Sequence, residues 1–289
     1  IHMITYSPYV DEYITHSDHQ LIIENPFSLQ DSQEQEEEKE EQEEDQEQEQ
    51  EEDQEQELKC RTIQISSVAS STLENFPIYL NLPYYPNMNP DFSDTRFYSG
   101  ECNSLNTQLS HEIESYSQNQ ADIWIKIPSL PPSGTSIALL YGDSSSNHQD
   151  SSNVWDENYV LVQHLSENSG TYYDSTSNYN SATSFGSTPT SGKIDGAERF
   201  DGKNDYLEIL QSPSLNNLNQ KTIEAWIYPK SYGGNNLGRI VDKSSSTISS
   251  GGWTLLLYKI NGISSLRYVH DLTNSKGVWN SPSNQINLN

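Results

Sequence analysis

Alternating apolar and polar side chains predict short β-strands from about residue 58 onward. In the clearest run, 121–127, three isoleucines alternate with Asp122, Trp124 and Lys126, so the two sets would lie on opposite faces. Proline and glycine residues that favour turns separate such runs. Short strands at turn-bounded spacing indicate an antiparallel sandwich. The predicted strands of this part are 61–66, 76–82, 95–98, 108–115, 121–127 and 136–141.

A second series of alternating segments follows a short polar stretch at 143–153. It begins with 159–165, after which a long run rich in Ser, Thr, Asn, Tyr and Gly has too few aliphatic residues to form a core element. The pair Asp201–Gly202 predicts a tight turn because glycine adopts positive φ without steric penalty. The other strands predicted here are 197–200, 206–210, 221–228, 237–242, 253–258 and 266–270.

These patterns predict an all-β protein of two consecutive antiparallel β-sandwiches, at 58–150 and 154–289, after an acidic disordered segment. Residues 1–30 contain apolar side chains without a clean period, and we interpret them as a tail or a loosely docked segment. Residues 31–57 hold 17 acidic residues and one lysine, which accounts for −16 of the net charge of −27. Such a block cannot bury enough apolar surface to offset the entropy lost on ordering, so we interpret it as a disordered linker.

Composition and motifs exclude several functional classes. No apolar run is long enough for a transmembrane helix, and no basic cluster is available for nucleic acid. Cys60 and Cys102 lack the spacing and the clustered histidines of a zinc site. The sequence does not decide whether the two cysteines form a disulfide or remain free thiols. No phosphate-binding, serine-hydrolase or metalloprotease motif occurs, so we predict a protein that is not an enzyme.

Four segments of the second half resemble, in the same order, the opening of a laminin-G-like (concanavalin A-like) domain. They are VQHLSE at 162–167, YDSTSN at 173–178, KIDGAERFDGKNDYLEI at 193–209 and TIEAWIYP at 222–229. The resemblance implies a jelly roll over 154–289. Because domains of this family continue with further strands, the jelly roll is expected to be truncated at its C-terminal side.

The preceding stretch resembles a functionally uncharacterised β-sandwich module of prokaryotic surface proteins, which typically lies directly before a laminin-G-like domain. The matching segments are FPI at 76–78, DTRF at 94–97, HEIES at 111–115, WIKIP at 124–128 and LYGD at 140–143. Together the two resemblances imply an extracellular or cell-surface location.

Calcium is the cofactor that the laminin-G-like resemblance implies. Such domains often bind calcium through loop acids, which makes Asp174, Asp201 and Asp205 candidate ligands. The same residues are also explained without a metal by Asx turns, in which the side chain accepts hydrogen bonds from nearby backbone amides.

Tyrosines near loops are candidates for contact with a ligand. Tyr172, Tyr173, Tyr179 and Tyr232 could stack on sugar rings or take part in protein recognition.

Glu112 and Glu114 form the most suggestive catalytic pattern in the chain. Two residues apart on a strand, they would project from one face, as the paired carboxylates of some glycosidases do. The alternative is a solvated sheet face without catalysis, and we prefer it because the uncharacterised module already explains these residues.

The expected function is therefore non-catalytic recognition or adhesion, with a glycan or a cell-surface protein as partner, through loops held by rigid sandwiches. One alternative is an accessory carbohydrate-binding part of a larger polysaccharide-active enzyme. Another is a structural spacer in a surface or transport assembly.

Overall fold

The computed structural model describes residues 12–13, 58–143, 147–216, 218, 220–243, 252–272, 275–284, 286 and 288. The predicted acidic linker at 31–57 and all but two residues of the predicted tail lie outside the described residues. Those two residues form β1 (Glu12–Tyr13), which pairs antiparallel with Gln64 and Ile65.

Two antiparallel sheets build the first part of the fold and confirm the all-β prediction. One has the strand order β1-β2-β8-β4-β5 and the other has the order β3-β7-β6. The strands are β2 (Lys59–Ile65), β3 (Leu73–Pro83), β4 (Arg96–Glu101), β5 (Ser104–Leu109), β6 (His111–Tyr116), β7 (Gln120–Leu130) and β8 (Thr135–Tyr141).

The hydrophobic core lies between these two sheets, which makes this part a β-sandwich. Ile123 and Ile125 of β7 are fully buried and belong to one cluster with Phe97 of β4 and with Ile137 and Leu139 of β8. The prediction that the three isoleucines of 121–127 share one face of β7 is thus confirmed. Burial of each such side chain contributes roughly 1.5–3 kcal/mol relative to exposure.

The predicted strand at 108–115 is divided in two by Ser110. Residues before Ser110 belong to β5 and pair with β4, whereas residues after it belong to β6 and pair with β7 in the opposite sheet. Alternation alone did not show this change of sheet, because the period of side chains along a strand carries no information about the partner strand.

Cys60 and Cys102 form a disulfide, with 5.8 Å between their Cα atoms. It joins β2 to the end of β4, two strands of the same sheet that both pair with β8. The structure thereby decides between the disulfide and the two free thiols.

The second part contains sheets with the orders β13-β10-β9, β11-β12 and β14-β15-β16-β17. A short helix, α1 (Ser151–Val154), precedes them, and single 3₁₀ turns occur at Pro213–Leu215 and Gly234–Asn236. The strands are β9 (Thr171–Tyr172), β10 (Ala182–Phe185), β11 (Thr188–Ser191), β12 (Gly196–Arg199), β13 (Tyr206–Ile209), β14 (Leu237–Lys243), β15 (Trp253–Ile260), β16 (Ile263–Leu272) and β17 (Ser275–Asn280).

Two strands predicted here are wrong. Residues 159–165 are irregular apart from one bridge between Gln163 and Asp174, and only Trp226 takes part in a bridge within 221–228. Both segments alternate in sequence, but neither lies along a partner strand in the described residues. The three later strands predicted in this part correspond to β14, β15 and β16.

The hairpin between β15 and β16 turns at Asn261 and Gly262, which both have positive φ, 51° and 82°. Asn-Gly is the preferred pair for this turn, whose twist matches that of the flanking strands. None of the helices in the described part of the chain has the length and apolar character needed to cross a bilayer.

Candidate functional site

The outer face of the sheet β3-β7-β6 is covered by the segment that follows α1. Trp155 is 2 % exposed, and its ring centre lies 5.2 Å from that of Trp124 on β7. The expectation of a solvated face around Glu112 and Glu114 is therefore wrong, because a later part of the chain packs against it. Strand alternation reveals which face a residue is on but not what covers that face.

A β-bulge in β6 shapes this covered face. The register between β6 and β7 shifts between Ile113 and Ser115, so that Glu114 is an extra residue opposite the same stretch of β7. A bulge resets the alternation of the strand. As a result, Ser115 hydrogen-bonds Asp122 on the outer face, while Ile113 packs against the core.

His164 lies between the two glutamates. Its Nε2 is 3.3 Å from Glu112 Oε2 and its Nδ1 is 3.2 Å from Glu114 Oε2. The Glu114 side chain is fully buried, and the other two side chains are about nine-tenths buried. The prediction that the two glutamates share a face is confirmed, but the histidine that joins them comes from a distant segment.

The carboxylates of this cluster also accept hydrogen bonds from neutral groups. Trp155 Nε1 donates to Glu112 Oε2 over 2.8 Å, and Ser175 Oγ donates to Glu112 Oε1 over 2.6 Å. Trp124 Nε1 donates to Glu114 Oε2 over 2.6 Å. Buried charges require such partners, so this Glu–His–Glu cluster ties the sandwich to the segment 155–175.

The pKa of His164 follows from these neighbours. Burial alone would lower it, but the two carboxylates outweigh burial and raise the pKa from its usual 6.5 to about 10. His164 is then a cation throughout the neutral range. The stability that it contributes is fully present below pH 6.5 and is lost as the pH rises towards 10.

His111 titrates in the opposite direction. Burial, with a smaller effect of His148, lowers the pKa of His111 from 6.5 to about 4, and its ring lies edge-on to Phe97 with 5.2 Å between ring centres. The folded protein therefore keeps this ring neutral where the unfolded chain would already be protonated.

We expect the free energy of unfolding to fall as the pH is lowered from 6.5 to about 4, with His111 contributing up to about 3 kcal/mol of this loss. Urea unfolding at several pH values would measure it. His111→Gln should flatten this acid limb and leave the alkaline limb unchanged. An acid limb of equal slope in the variant would show that His111 is not its cause.

Asp174 is engaged within its own loop. Its carboxylate, in a residue only 6 % exposed, accepts hydrogen bonds from the amides of Val162, Thr176 and Asn180 and from the Thr176 hydroxyl, at 2.8–3.0 Å. This arrangement matches the Asx-turn alternative, with additional hydrogen bonds from residues outside the turn. Asp174 therefore does not fit a calcium ligand set as it is arranged, because both oxygens already serve the backbone.

Asp201 and Asp205 share a separate turn. The amide of Asp201 donates to Asp205 Oδ2 over 2.8 Å, and Asp201 Oδ1 accepts from the amides of Lys203 and Asn204. These backbone bonds lower the pKa of Asp201. Over the part of the chain that the structure describes, no group of three or more His, Cys, Asp or Glu side chains is placed to hold a metal ion.

The four candidate tyrosines divide into two pairs. Tyr173 and Tyr179 are 67 % and 75 % exposed, as a ligand-binding role requires. Tyr172 and Tyr232 face inward instead, so the expectation of surface positions is wrong for them. Tyr172 lies in a small core and donates from its hydroxyl to Glu198 over 2.6 Å, and the Tyr232 hydroxyl donates to the carbonyl of Ile286.

One exposed aromatic pair was not predicted from the sequence. Phe185 of β10 and Tyr206 of β13 are directly paired residues, 42 % and 49 % exposed. Their rings stack with 4.8 Å between centres and an interplanar angle of 12°. Tyr206 follows Asp205 in the chain, so the pair adjoins the Asp201–Asp205 turn. Only the strand register brings Phe185 to this position.

Strands β6 and β7 of the covered sheet, the Glu–His–Glu cluster and β9 fall within one stretch of sequence similarity. Residues 91–184 match a family model described as "Domain of unknown function (DUF2341)", which covers about a third of the 289-residue chain. No curated protein and no solved structure shows significant similarity to this chain. The match does not stop at the predicted boundary near residue 150 and continues into β10. It supports a β-sandwich domain in this region, in agreement with the resemblance to an uncharacterised sandwich module.

Proposed function

We propose that this protein is a non-catalytic recognition or adhesion protein of the cell surface or of the secreted fraction, which binds a glycan or a protein ligand. The observation that carries the proposal is the stacked pair Phe185–Tyr206 on the open face of a small sheet. Exposed aromatic side chains supply large contact areas at low conformational entropy. Together with its rigid strands, the pair offers a preformed surface to a ligand.

The surroundings of the pair suit a ligand with polar groups. The same sheet face carries Thr183 and Glu208, which pair with each other and are exposed, and Thr171, which pairs with Thr183. Hydroxyl and carboxylate groups beside stacked rings can bind sugar hydroxyls or peptide amides.

The buried acids support a role without catalysis. Glu112 and Glu114 have the spacing of a catalytic pair, but their carboxylates are bonded to His164 and to two tryptophans beneath a covering segment. A general acid must come within hydrogen-bond distance of a substrate atom. In this arrangement the two carboxylates stabilise the fold.

Calcium assistance is the second part of the proposal. Asp174 is already occupied by hydrogen bonds to the backbone. Among the candidate acids, Asp201 and Asp205 therefore remain as calcium ligands, in the turn next to Tyr206. A calcium ion there would raise the unfolding midpoint, since a ligand of the native state alone stabilises it. Equal midpoints in calcium and in chelator would remove calcium from the proposal.

A glycan array followed by titration calorimetry tests the function itself. We expect the double variant Phe185→Ala/Tyr206→Ala to lose at least about fivefold in affinity for any ligand found, because binding hot spots contribute more than about 1 kcal/mol. Tyr116→Ala is the matched control, since Tyr116 is 59 % exposed at the end of β6 in the first sandwich, away from the small sheet.

The alternatives predict different results. An accessory module of a polysaccharide-active enzyme would also bind soluble polysaccharide through Phe185 and Tyr206. A hydrolase domain in the full gene product would identify that alternative. Absence of any ligand, with self-association instead, would favour a structural spacer and contradict the proposal.

A further inference from the structure

A groove of about 460 Å³ opens between the turn at Gly234–Asn236 and the tip of the β15–β16 hairpin. Among its lining residues, Asn236, Lys259 and Asn261 have polar side chains, and Tyr232 and Tyr258 also line it. The groove shares no residue with the Phe185–Tyr206 pair.

The walls of the groove are fixed by internal contacts. Tyr232 is only 9 % exposed, and its hydroxyl donates to the carbonyl of Ile286 over 3.3 Å. The Lys259 ammonium lies 5.1 Å from the centre of the Tyr232 ring, and the Arg267 guanidinium lies 3.3 Å from the centre of the Tyr258 ring. The cation–π contact with Tyr232 positions the Lys259 charge before a ligand arrives, whereas Arg267 does not line the groove.

The groove presents a positive charge in an acidic chain. The protein carries a net charge of −27, yet within the described residues Lys259 forms no ion pair with a carboxylate. A positioned cation with neutral neighbours favours an anionic ligand.

We propose that this groove binds a carboxylate-bearing, hydroxyl-rich ligand of the uronic-acid type. The Lys259 ammonium would contact the carboxylate, and the side-chain amides of Asn236 and Asn261 would hydrogen-bond ligand hydroxyls. A neutral sugar lacks the charge, and a bare anion lacks the hydroxyls. The ligand class therefore follows from the combination of one cation with two amides.

Titration of the full chain with sodium glucuronate, glucose and sodium acetate, followed by NMR, tests this site. We expect glucuronate to bind at least about tenfold more tightly than glucose or acetate, and more weakly at high salt. Lys259→Gln should reduce glucuronate affinity by about tenfold or more. Lys230→Gln is the matched control, because Lys230 lies over the exposed ring of Tyr228, 5.6 Å from its centre, and does not line the groove.

Several outcomes would overturn the inference. If glucose binds as tightly as glucuronate, the groove does not recognise the carboxylate. If acetate binds as tightly as glucuronate, the site holds an adventitious anion only. Unchanged affinity in Lys259→Gln would exclude the lysine. Loss of glucuronate binding in Phe185→Ala/Tyr206→Ala, with Lys259→Gln unaffected, would place the ligand at the aromatic pair, which would support the proposed function while refuting this groove.

Discussion

His164→Gln is expected to lower the free energy of unfolding by about 3–5 kcal/mol, because it leaves two buried carboxylates without their cation. Glutamine preserves much of the volume and some hydrogen bonding, so the missing charge is the main change. A loss of this size is a large fraction of the total stability of an ordinary domain. Urea unfolding followed by tryptophan fluorescence would measure it, since Trp124 and Trp155 both donate hydrogen bonds to the glutamates of the cluster.

Two further variants separate charge from packing. Arg239→Gln removes an ion pair whose arginine side chain is 57 % exposed, and it should change stability by less than about 1 kcal/mol. The neutral triple variant Glu112→Gln/Glu114→Gln/His164→Gln should be less destabilised than His164→Gln alone, because it contains no unpaired buried charge. If the triple variant is destabilised as much or more, packing rather than charge holds the covering segment in place.

Removal of the disulfide is expected to have the second large effect. The bond joins cysteines 42 positions apart, and loop-closure entropy in the unfolded chain gives it a stabilising contribution of about 4 kcal/mol. Cys60→Ser/Cys102→Ser should therefore unfold at a clearly lower urea concentration. Thiol titration of the native wild-type protein should find neither cysteine free.

Treatment with a reductant provides the control for this prediction. Reduced wild-type protein should unfold close to the double variant, and the reductant should leave the double variant itself unchanged. If complete reduction left the wild-type midpoint where it was, the cross-link would not constrain the unfolded chain as expected.

The sequence was most informative for strands whose apolar side chains alternate because one face of the strand packs against a core. The alternation in 121–127 identified the face of β7 that packs between the two sheets of the sandwich, although not the covering of its other face, and the predicted strands of the first sandwich correspond closely to the observed ones. A strand with one face against a core must place apolar residues at every second position. Charge and composition likewise separated residues 31–57 from the β-rich part of the chain.

The candidate sites depended on contacts between distant segments. Glu112 and Glu114 stood out in the sequence, but His164 lies about fifty residues later, and only the packing of the covering segment brings it between them. Tyr172 looked like its neighbour Tyr173, yet one is 1 % exposed and the other 67 %, because Tyr172 ends β9 and packs in a small core whereas Tyr173 follows the strand and faces solvent. The Phe185–Tyr206 pair required the register of two strands.

The sequence by itself thus determined the all-β class, the strand positions of the first sandwich and the absence of known catalytic motifs. Local periodicity and turn residues are sufficient for these features, since they depend on neighbours along the chain. Only the tertiary structure decided the disulfide, the change of sheet at Ser110 and the burial of the glutamates beneath Trp155. These features depend on which segments meet in space, and that is set by the packing of whole sheets, which no local pattern records.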